Sequence, residues 1–146
     1  MTAIDLLAIA ADRRRTVLRD LAQSCAIADG PSDALDETIS MAVAADWDPR
    51  LAYSSFTHSL DLARQLIPPG HWWAVAQTAA PDSPLRHFGA TGNGIFLAQV
   101  GDWRAPQPHT ARNDDPVLAL CAAALKARAA LVVMVTAPDA AGRSAP

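Results

Sequence analysis

The residues of this chain that could perform covalent catalysis are, first, its two cysteines. Cys25 and Cys121 lie far apart in the sequence, which predicts neither a disulfide framework nor a paired metal-ligand motif. Both fall on predicted apolar faces of helices, where a buried thiol stays protonated and unreactive. We therefore expect two structural cysteines and no cysteine nucleophile.

Histidine and serine offer no clearer catalytic pattern. No two histidines have the spacing of metal ligands on one helix turn, and none has a cysteine close by in sequence. Neither Ser24 nor Ser59 sits in a Gly-x-Ser-x-Gly turn, the sequence that presents a serine nucleophile in many hydrolases. The sequence accordingly predicts no catalytic residue, no cofactor and no metal ion. The histidines considered are His58, His71, His87 and His109.

Three glycines, Gly89, Gly92 and Gly94, suggest a phosphate-binding loop. Such a loop needs a helix directly after it, so that the backbone amides and the helix dipole meet the anion. Here Ile-Phe-Leu follows at 95–97, which is typical of a strand. Asn93-Gly94 is also the pair best suited to a type I′ hairpin turn, so we interpret the segment as a hairpin.

Charge is unevenly distributed along the chain. Residues 1–28 carry four arginines against three aspartates, and residues 29–50 carry six acidic residues against one arginine. The arginines fit a solvated helix face better than a phosphate-binding surface, so nucleic acid is not the expected partner. The acidic segment could instead imitate nucleic acid towards a basic protein, or merely keep the protein soluble. Its candidate contact residues are Asp33, Asp36 and Glu37.

The tryptophans provide a second candidate surface. Trp72 and Trp73 are neighbours in a predicted strand and must point to opposite faces of it. Trp47 and Trp103 fall in predicted loops, and exposed Trp and Arg dominate binding hot spots. The alternative is that these indoles cover the edge of the core. The candidate partner-binding residues of this group are Trp47, Trp103, Arg104, His109 and Arg112.

The overall composition predicts one globular domain. The chain has 146 residues, 51% of them hydrophobic and 18% charged, with a net charge of −3. This length and composition suffice for one core and exclude compositional disorder.

The basic run 13–15 follows the apolar N-terminal patch, the reverse of the order in an export signal. Lys126 and Arg128 interrupt the most hydrophobic stretch, 117–137, and each would cost about 2.5–3.5 kcal/mol in a bilayer. We therefore expect a cytoplasmic protein that does not span a membrane.

Start and stop signals predict four helices. The first, which could also be two abutting helices, runs from residue 3 to about 28 and ends before Gly30-Pro31. The second follows the N-cap Ser32 and ends near residue 45. The third is capped by Ser59 and ends at 68–70, and the last opens at Asp115-Pro116.

Three strands are predicted between the third and fourth helices, at 72–79, 86–91 and 95–101. Residues 102–114 have no apolar period and are predicted to form a loop. The apolar stripes can all be buried only if the helices cover the sheet. We therefore predict an α+β layered sandwich of helices around a small antiparallel sheet, in the order ααα-βββ-α. Residues 1–137 form the single domain, and 138–146 a disordered tail.

The order of segments resembles the phage ABA-sandwich domain family, to which the NinX-like phage proteins are related. The similarity rests on FTHSLDLA at 56–63, LIPPGHWW at 66–73 and DPVLALCAAALKAR at 115–128, and it extends over residues 20–130. Leu62 departs from the pattern, which has a small residue there, and residues 1–18 form a helical extension outside the family-like core. The resemblance implies a layered fold and a phage or prophage protein of unassigned role, without catalytic residues to transfer.

Three functions remain open from the sequence. The first is a small, non-enzymatic phage or prophage accessory protein that binds another macromolecule, with a protein as the expected partner. The second is an inhibitor of a host defence nuclease that uses the acidic segment in place of nucleic acid. The third is an enzyme of unrecognised type.

Overall fold

The first helix begins where the sequence supplies a reciprocal cap. In the computed structural model, which describes residues 2–46, 54–77 and 95–132, the Thr2 hydroxyl accepts a hydrogen bond from the Asp5 amide, and the Asp5 carboxylate accepts one from the Thr2 amide. These two bonds satisfy donors that a helix start otherwise leaves unpaired. Helix α1 then runs without interruption through Ala3–Ile27.

Helix α2, Asp33–Asp46, starts as predicted after Ser32. The Ser32 hydroxyl accepts a hydrogen bond from the Leu35 amide at 3.1 Å. The helix then packs against α1 with Ile39 and Val43 fully buried, so the predicted apolar stripe faces the core.

The predicted third helix is shorter than expected. A 3₁₀ turn, Phe56–His58, precedes helix α3, Leu60–Ala63, and a second 3₁₀ turn, Arg64–Leu66, follows it. Ser59 occupies the N-cap position, but its side chain makes no capping bond. Because Pro68 and Pro69 follow so closely, the segment ends in tight turns instead of a longer helix.

Three strands form one antiparallel sheet in the order β1-β2-β3. They are β1, His71–Gln77, β2, Phe96–Asp102, and β3, His109–Asn113. The first two agree with predicted strands, whereas the predicted strand at 86–91 and the Asn93-Gly94 turn lie outside the described residues. The prediction that 102–114 is a loop is wrong, because β3 lies within it and pairs with β2 from Phe96↔Asn113 to Val100↔His109.

Helix α4, Pro116–Leu131, is the central element. Asp115 caps it by accepting a hydrogen bond from the Val117 amide, and Pro116 occupies its first position. It packs against all three strands, α1 and the turns around α3, and its residues are buried on nearly every side. A helix that is mostly apolar on every side is stable only inside a core. Helix α4 therefore lies between the helical layer and the sheet, and the predicted layered α+β architecture is confirmed.

The sheet and α1 are also joined directly through one polar side chain. Asn113, at the end of β3, donates from Nδ2 to the carbonyls of Cys25, Ala26 and Ala28 at 2.9–3.1 Å. These carbonyls belong to the last turn of α1 or just follow it, where helix acceptors otherwise remain unpaired.

None of the described helices combines the length and hydropathy that crossing a membrane requires. The predicted tail at 138–146 lies outside the described residues.

Candidate binding surface

Trp72 and Trp103 form an aromatic pair at one end of the sheet. Trp72 in β1 stands opposite Gly101 in β2, and a Cβ atom at Gly101 would lie 2.5 Å from the Trp72 indole. The Trp72 indole therefore occupies the space that the side chain of any residue other than glycine at position 101 would need. The Trp103 ring lies 6.3 Å from the Trp72 ring, tilted by 53°, within the range of favourable aromatic pairs.

Trp103 is 78% exposed. A tryptophan that covered the edge of the core would hide most of its indole, so the alternative interpretation from the sequence does not apply to this residue. Its indole contacts the Trp72 ring on one side and is otherwise exposed to solvent. Trp73, the neighbour of Trp72, points to the other face of the strand and lines a groove with Pro68 and Pro69.

The two faces of the sheet differ because side chains alternate along each strand. Ala98, Val100 and Ala111 are buried on the face that packs against α4. The opposite face, which we call the outer sheet face, carries the aromatic pair at one end. Its strand residues are Trp72, Ala74, Ala76, Leu97, Gln99, Gly101, Thr110 and Arg112.

An ion pair fixes the turn that carries Trp103. The Asp102 carboxylate accepts hydrogen bonds from the Arg104 amide at 2.9 Å and from its guanidinium at 3.1 and 3.0 Å. These bonds lower the pKa of Asp102 to about 2 and raise that of Arg104. The Ala105 amide also donates to the Asp102 carbonyl at 2.9 Å. Trp103 thus sits in a turn whose two flanking charges are already paired.

The structure separates the other residues that the sequence placed on this surface. Arg112 is exposed on the outer sheet face, opposite Leu97. That position is four residues along β2 from Gly101, or about 13 Å at ~3.3 Å per residue. His109 has the opposite side-chain direction and lines a groove with Arg19, Gln23 and Lys126 between β3, α1 and α4. The grouping of His109 with Trp103 and Arg112 on one surface is therefore wrong.

The groove around His109 is basic. Partial burial lowers the pKa of His109, and the nearby charges of His71 and Lys126 lower it further. Lys126 also donates from Nζ to the Thr110 carbonyl at 2.7 Å, so its ammonium is tied to the backbone of β3. The groove encloses about 290 Å³.

The acidic segment does not form the surface that the sequence suggested. Asp33 and Glu37 are exposed, but Asp36 is fully buried. Its Oδ1 accepts a hydrogen bond from the Thr57 amide at 2.7 Å, which fixes the 3₁₀ turn Phe56–His58 against α2. The prediction that Asp36 contacts a partner is therefore wrong, because its carboxylate serves the interior.

Asp36 belongs to a cluster that the sequence did not predict. His58 Nδ1 lies 2.8 Å from Asp36 Oδ2, and His58 Nε2 lies 3.4 Å from Asp33 Oδ1. Asp36 and His58 are distant in sequence, and only the packing of the 3₁₀ turn on α2 brings them together. The one local signal was the i, i+3 spacing of the two aspartates, which places them on the same side of a helix.

Both cysteines are buried, as predicted. Burial raises the pKa of Cys25 to about 12, with a further contribution from the charge of Asp36. Burial likewise raises the pKa of Cys121 well above its ordinary value, and the Cys121 thiol donates to the Phe56 carbonyl at 3.4 Å. At neutral pH burial therefore favours the protonated thiol, which is a weaker nucleophile than the thiolate.

A wider groove of about 460 Å³ lies at the start of β1. Of its ionisable side chains, Asp61 and Arg64 pair with each other at 3.5 Å, and both are largely exposed. His71 Nδ1 lies 3.3 Å from the Pro69 carbonyl. The groove thus contains a solvent-exposed ion pair and a histidine whose ring is oriented by the Pro69 carbonyl.

Among the described residues, those predicted to bind a partner therefore lie on separate parts of the surface. Trp103, Arg104 and Arg112 lie on or beside the outer sheet face, whereas Asp33 and Glu37 lie on α2. Trp47 lies outside the described residues. When the chain is compared with known proteins, no protein-family model, no curated protein and no solved structure matches it.

Proposed function

We propose that this protein is a non-enzymatic binding protein that engages a protein partner through the outer sheet face, with Trp103 as the anchor. The observation that carries the proposal is the 78% exposure of the Trp103 indole on a support made by Trp72 and Gly101. An aromatic side chain held in place before binding loses little conformational freedom when a partner covers it.

The surroundings of Trp103 favour a protein partner over nucleic acid. The Arg104 guanidinium donates hydrogen bonds to the Asp102 carboxylate, so the two charges beside Trp103 cancel. The outer sheet face carries Arg112 at its far end, and the whole chain has a net charge of −3. Nucleic-acid sites depend on many uncompensated basic groups, whereas a single large indole with small apolar and polar neighbours is typical of a protein interface.

The resemblance to the phage ABA-sandwich family suggests where the partner would be found. On that basis we propose a phage or prophage accessory protein that acts in the cytoplasm of the host cell. The role of Trp103 does not depend on this setting, and the two parts of the proposal can fail separately.

Affinity capture with matched variants tests the surface. Purified wild-type protein, Trp103→Ala and Met41→Ala are immobilised and incubated with lysate from phage-infected bacteria. Met41 is the control, because it is a large apolar side chain on α2 that is 68% exposed. We expect a partner that wild type and Met41→Ala recover equally and that Trp103→Ala loses. With the purified partner, loss of a hot-spot residue should weaken binding by about 30-fold or more.

Three results would contradict the proposal. A partner that Trp103→Ala retains at full affinity would place the interface elsewhere. Nuclease-sensitive capture would identify nucleic acid as the ligand. Recovery of the same proteins with all three baits and with empty resin would leave no specific partner and would count against a binding role altogether.

A further inference from the structure

The cluster of Asp33, Asp36 and His58 takes no part in the proposed binding surface. One donor atom from each of the three side chains lies within 4.8 Å of the others. Two carboxylates and an imidazole are donors that first-row transition metals accept.

Backbone interactions fix the two elements that carry the three side chains. Asp33 and Asp36 lie one helical turn apart at the start of α2. The 3₁₀ turn that carries His58 is held by the Thr57 amide, which donates to Asp36 Oδ1, and by the Thr57 hydroxyl, which accepts from the Ser32 amide at 2.9 Å. The Asp36–His58 pair therefore has a preformed geometry, which reduces the entropic cost of binding an ion.

The second carboxylate oxygen of Asp36 is the observation that points to a ligand. Asp36 is fully buried, and its Oδ2 accepts no hydrogen bond with suitable geometry from the part of the chain that the structure describes. Its close neighbour is His58 Nδ1, at 2.8 Å. A buried carboxylate oxygen whose neighbour is not directed at it as a hydrogen-bond donor is unfavourable by about 1–3 kcal/mol. A cation coordinated by both Asp36 Oδ2 and His58 Nδ1 would remove this penalty.

A route for the cation exists on the solvent side of the cluster. The Asp33 side chain is 86% exposed and that of His58 is 40% exposed, whereas Asp36 closes the inner side. The positive end of the α2 dipole, equivalent to about half an elementary charge, opposes a cation there, but the two carboxylates contribute four times as much charge of the opposite sign. The local field therefore attracts a divalent ion.

We propose that Asp33, Asp36 and His58 bind a divalent transition-metal ion of the Zn²⁺ type. Three protein donors including one imidazole match zinc sites that leave a position open for water or a partner group. Calcium would need six to eight oxygen donors, and magnesium prefers octahedral oxygen coordination, so neither fits this set as well. The ion would fasten the start of α2 to the turn Phe56–His58.

The test is titration of the untagged, metal-free full chain with Zn²⁺ alone, followed by calorimetry near neutral pH. The same titration is run on Asp33→Asn, His58→Gln and, as a matched control, Asp29→Asn. Asp29 is an exposed acid just before α2, and its replacement changes the net charge as Asp33→Asn does. We expect wild type and Asp29→Asn to bind one Zn²⁺ per chain with a dissociation constant of about 10 μM or tighter.

Loss of a ligand should weaken binding by at least about tenfold in Asp33→Asn and His58→Gln. Visible absorption of the Co²⁺-loaded protein adds an independent measure, because its intensity reports the coordination geometry of the ion. Since Asp33 is largely exposed, Asp33→Asn decides the matter even if His58→Gln alters the fold, which far-ultraviolet circular dichroism would reveal.

The proposal is overturned if the wild type takes up no Zn²⁺, or if Asp33→Asn binds it as tightly as the wild type. It is also overturned if Asp29→Asn weakens binding as much as Asp33→Asn, because the ion would then respond to the general acidity of the segment. These results do not bear on Trp103, which is tested by partner capture.

Discussion

At the scale of single residues, Gly101 is a position at which one added methyl group should have a large local effect. We predict that Gly101→Ala displaces the Trp72 indole, because the new methyl group would lie 2.5 Å from it. Overpacking of this kind lowers the free energy of unfolding by about 1–3 kcal/mol. Urea denaturation gives that loss, and near-ultraviolet circular dichroism reports the changed environment of the Trp72–Trp103 pair.

Gly30→Ala is the matched control for this prediction, because nothing lies within 4 Å of a Cβ atom at Gly30. It should leave the tryptophan signal unchanged. If Gly101→Ala also preserves both the signal and the stability, Trp72 is not packed against Gly101, and the support proposed for Trp103 is lost.

Burial of the two cysteines predicts how the free energy of unfolding changes at alkaline pH. The pKa of Cys25 is raised from 9.0 to about 12 by burial, so the folded state keeps a proton that the unfolded state releases. Its contribution to stability is therefore complete below pH 9.0 and is lost progressively as the pH rises towards about 12. We predict that the free energy of unfolding falls across this window, as measured by urea denaturation under reducing conditions.

The variant Cys25→Ala/Cys121→Ala separates this effect from other groups that titrate at high pH. The double variant is less stable at neutral pH because it leaves cavities, but its stability should fall less steeply with pH above 9.0. Equal slopes for the two proteins would show that the thiols ionise as readily in the folded state as in the unfolded state.

At the scale of the elements, the sequence predicted what local interactions decide. Ser32 and the pair Asp115-Pro116 start helices because their side chains and ring geometry act on the adjacent backbone. Strand β3 was missed for the opposite reason. Its sequence, HTARN, contains a single apolar residue, Ala111, and so has no apolar period. Its conformation is set by pairing with β2.

The same distinction explains the outcome for the candidate site. The position of Trp103 outside the predicted helices and strands could be derived from the sequence, since turn-forming residues surround it. The exposure of its indole could not, because it depends on where Trp72 and the rest of the sheet lie. The burial of Asp36 could not be predicted, because the group that covers it, the turn around Thr57, is distant in sequence. The divergent directions of His109 and Arg112 follow from strand alternation, which a predicted loop does not have.

The turn between β2 and β3 allows an electrostatic prediction. Hydrogen bonds from Arg104 lower the pKa of Asp102 from 3.8 to about 2. Because the folded pKa is depressed, the stabilisation is present above the ordinary value and is lost only as the pH falls through about 2. We predict that Arg104→Ala raises the Asp102 pKa towards 3.8, as measured by NMR titration of the carboxyl carbon.

Arg112→Ala serves as the control in this titration, because it removes an equal charge elsewhere on the outer sheet face. It should leave the Asp102 pKa unchanged. A similar rise in both variants would mean that general electrostatics, and not the Arg104 contact, hold the carboxylate in its ionised form.

At the scale of the whole molecule, α1 and α4 determine how much of the chain is needed for folding. Because α4 is surrounded by other elements, every layer of the core depends on it. Helix α1 contributes Leu18, Leu21 and Cys25 to this core. Arg15, in its middle, also donates to the Val132 carbonyl just after α4 at 3.3 Å. The two helices thus form one structural unit without a boundary near residue 18.

The resemblance to the phage family places residues 1–18 outside a core at 20–130, whereas the packing of α1 predicts that part of this segment is needed for folding. Leu6 and Ile9 are 57% and 44% exposed, whereas Ala11 and Leu18 are 3% and 2% exposed. Removing residues 2–9 should therefore change the free energy of unfolding by less than about 1 kcal/mol, while removing residues 2–18 should cost at least the ~2–5 kcal/mol typical of losing one buried leucine.

Urea denaturation of the two truncated proteins, with Leu18→Ala in the full chain as the reference, measures both losses. The longer truncation should be at least as destabilising as Leu18→Ala, because it removes the same buried side chain together with Ala11 and the Arg15 contact. If the protein lacking residues 2–18 is instead as stable as the full chain, the first half of α1 is an appended segment. The burial of Leu18 against the rest of the core would then contribute nothing to the fold.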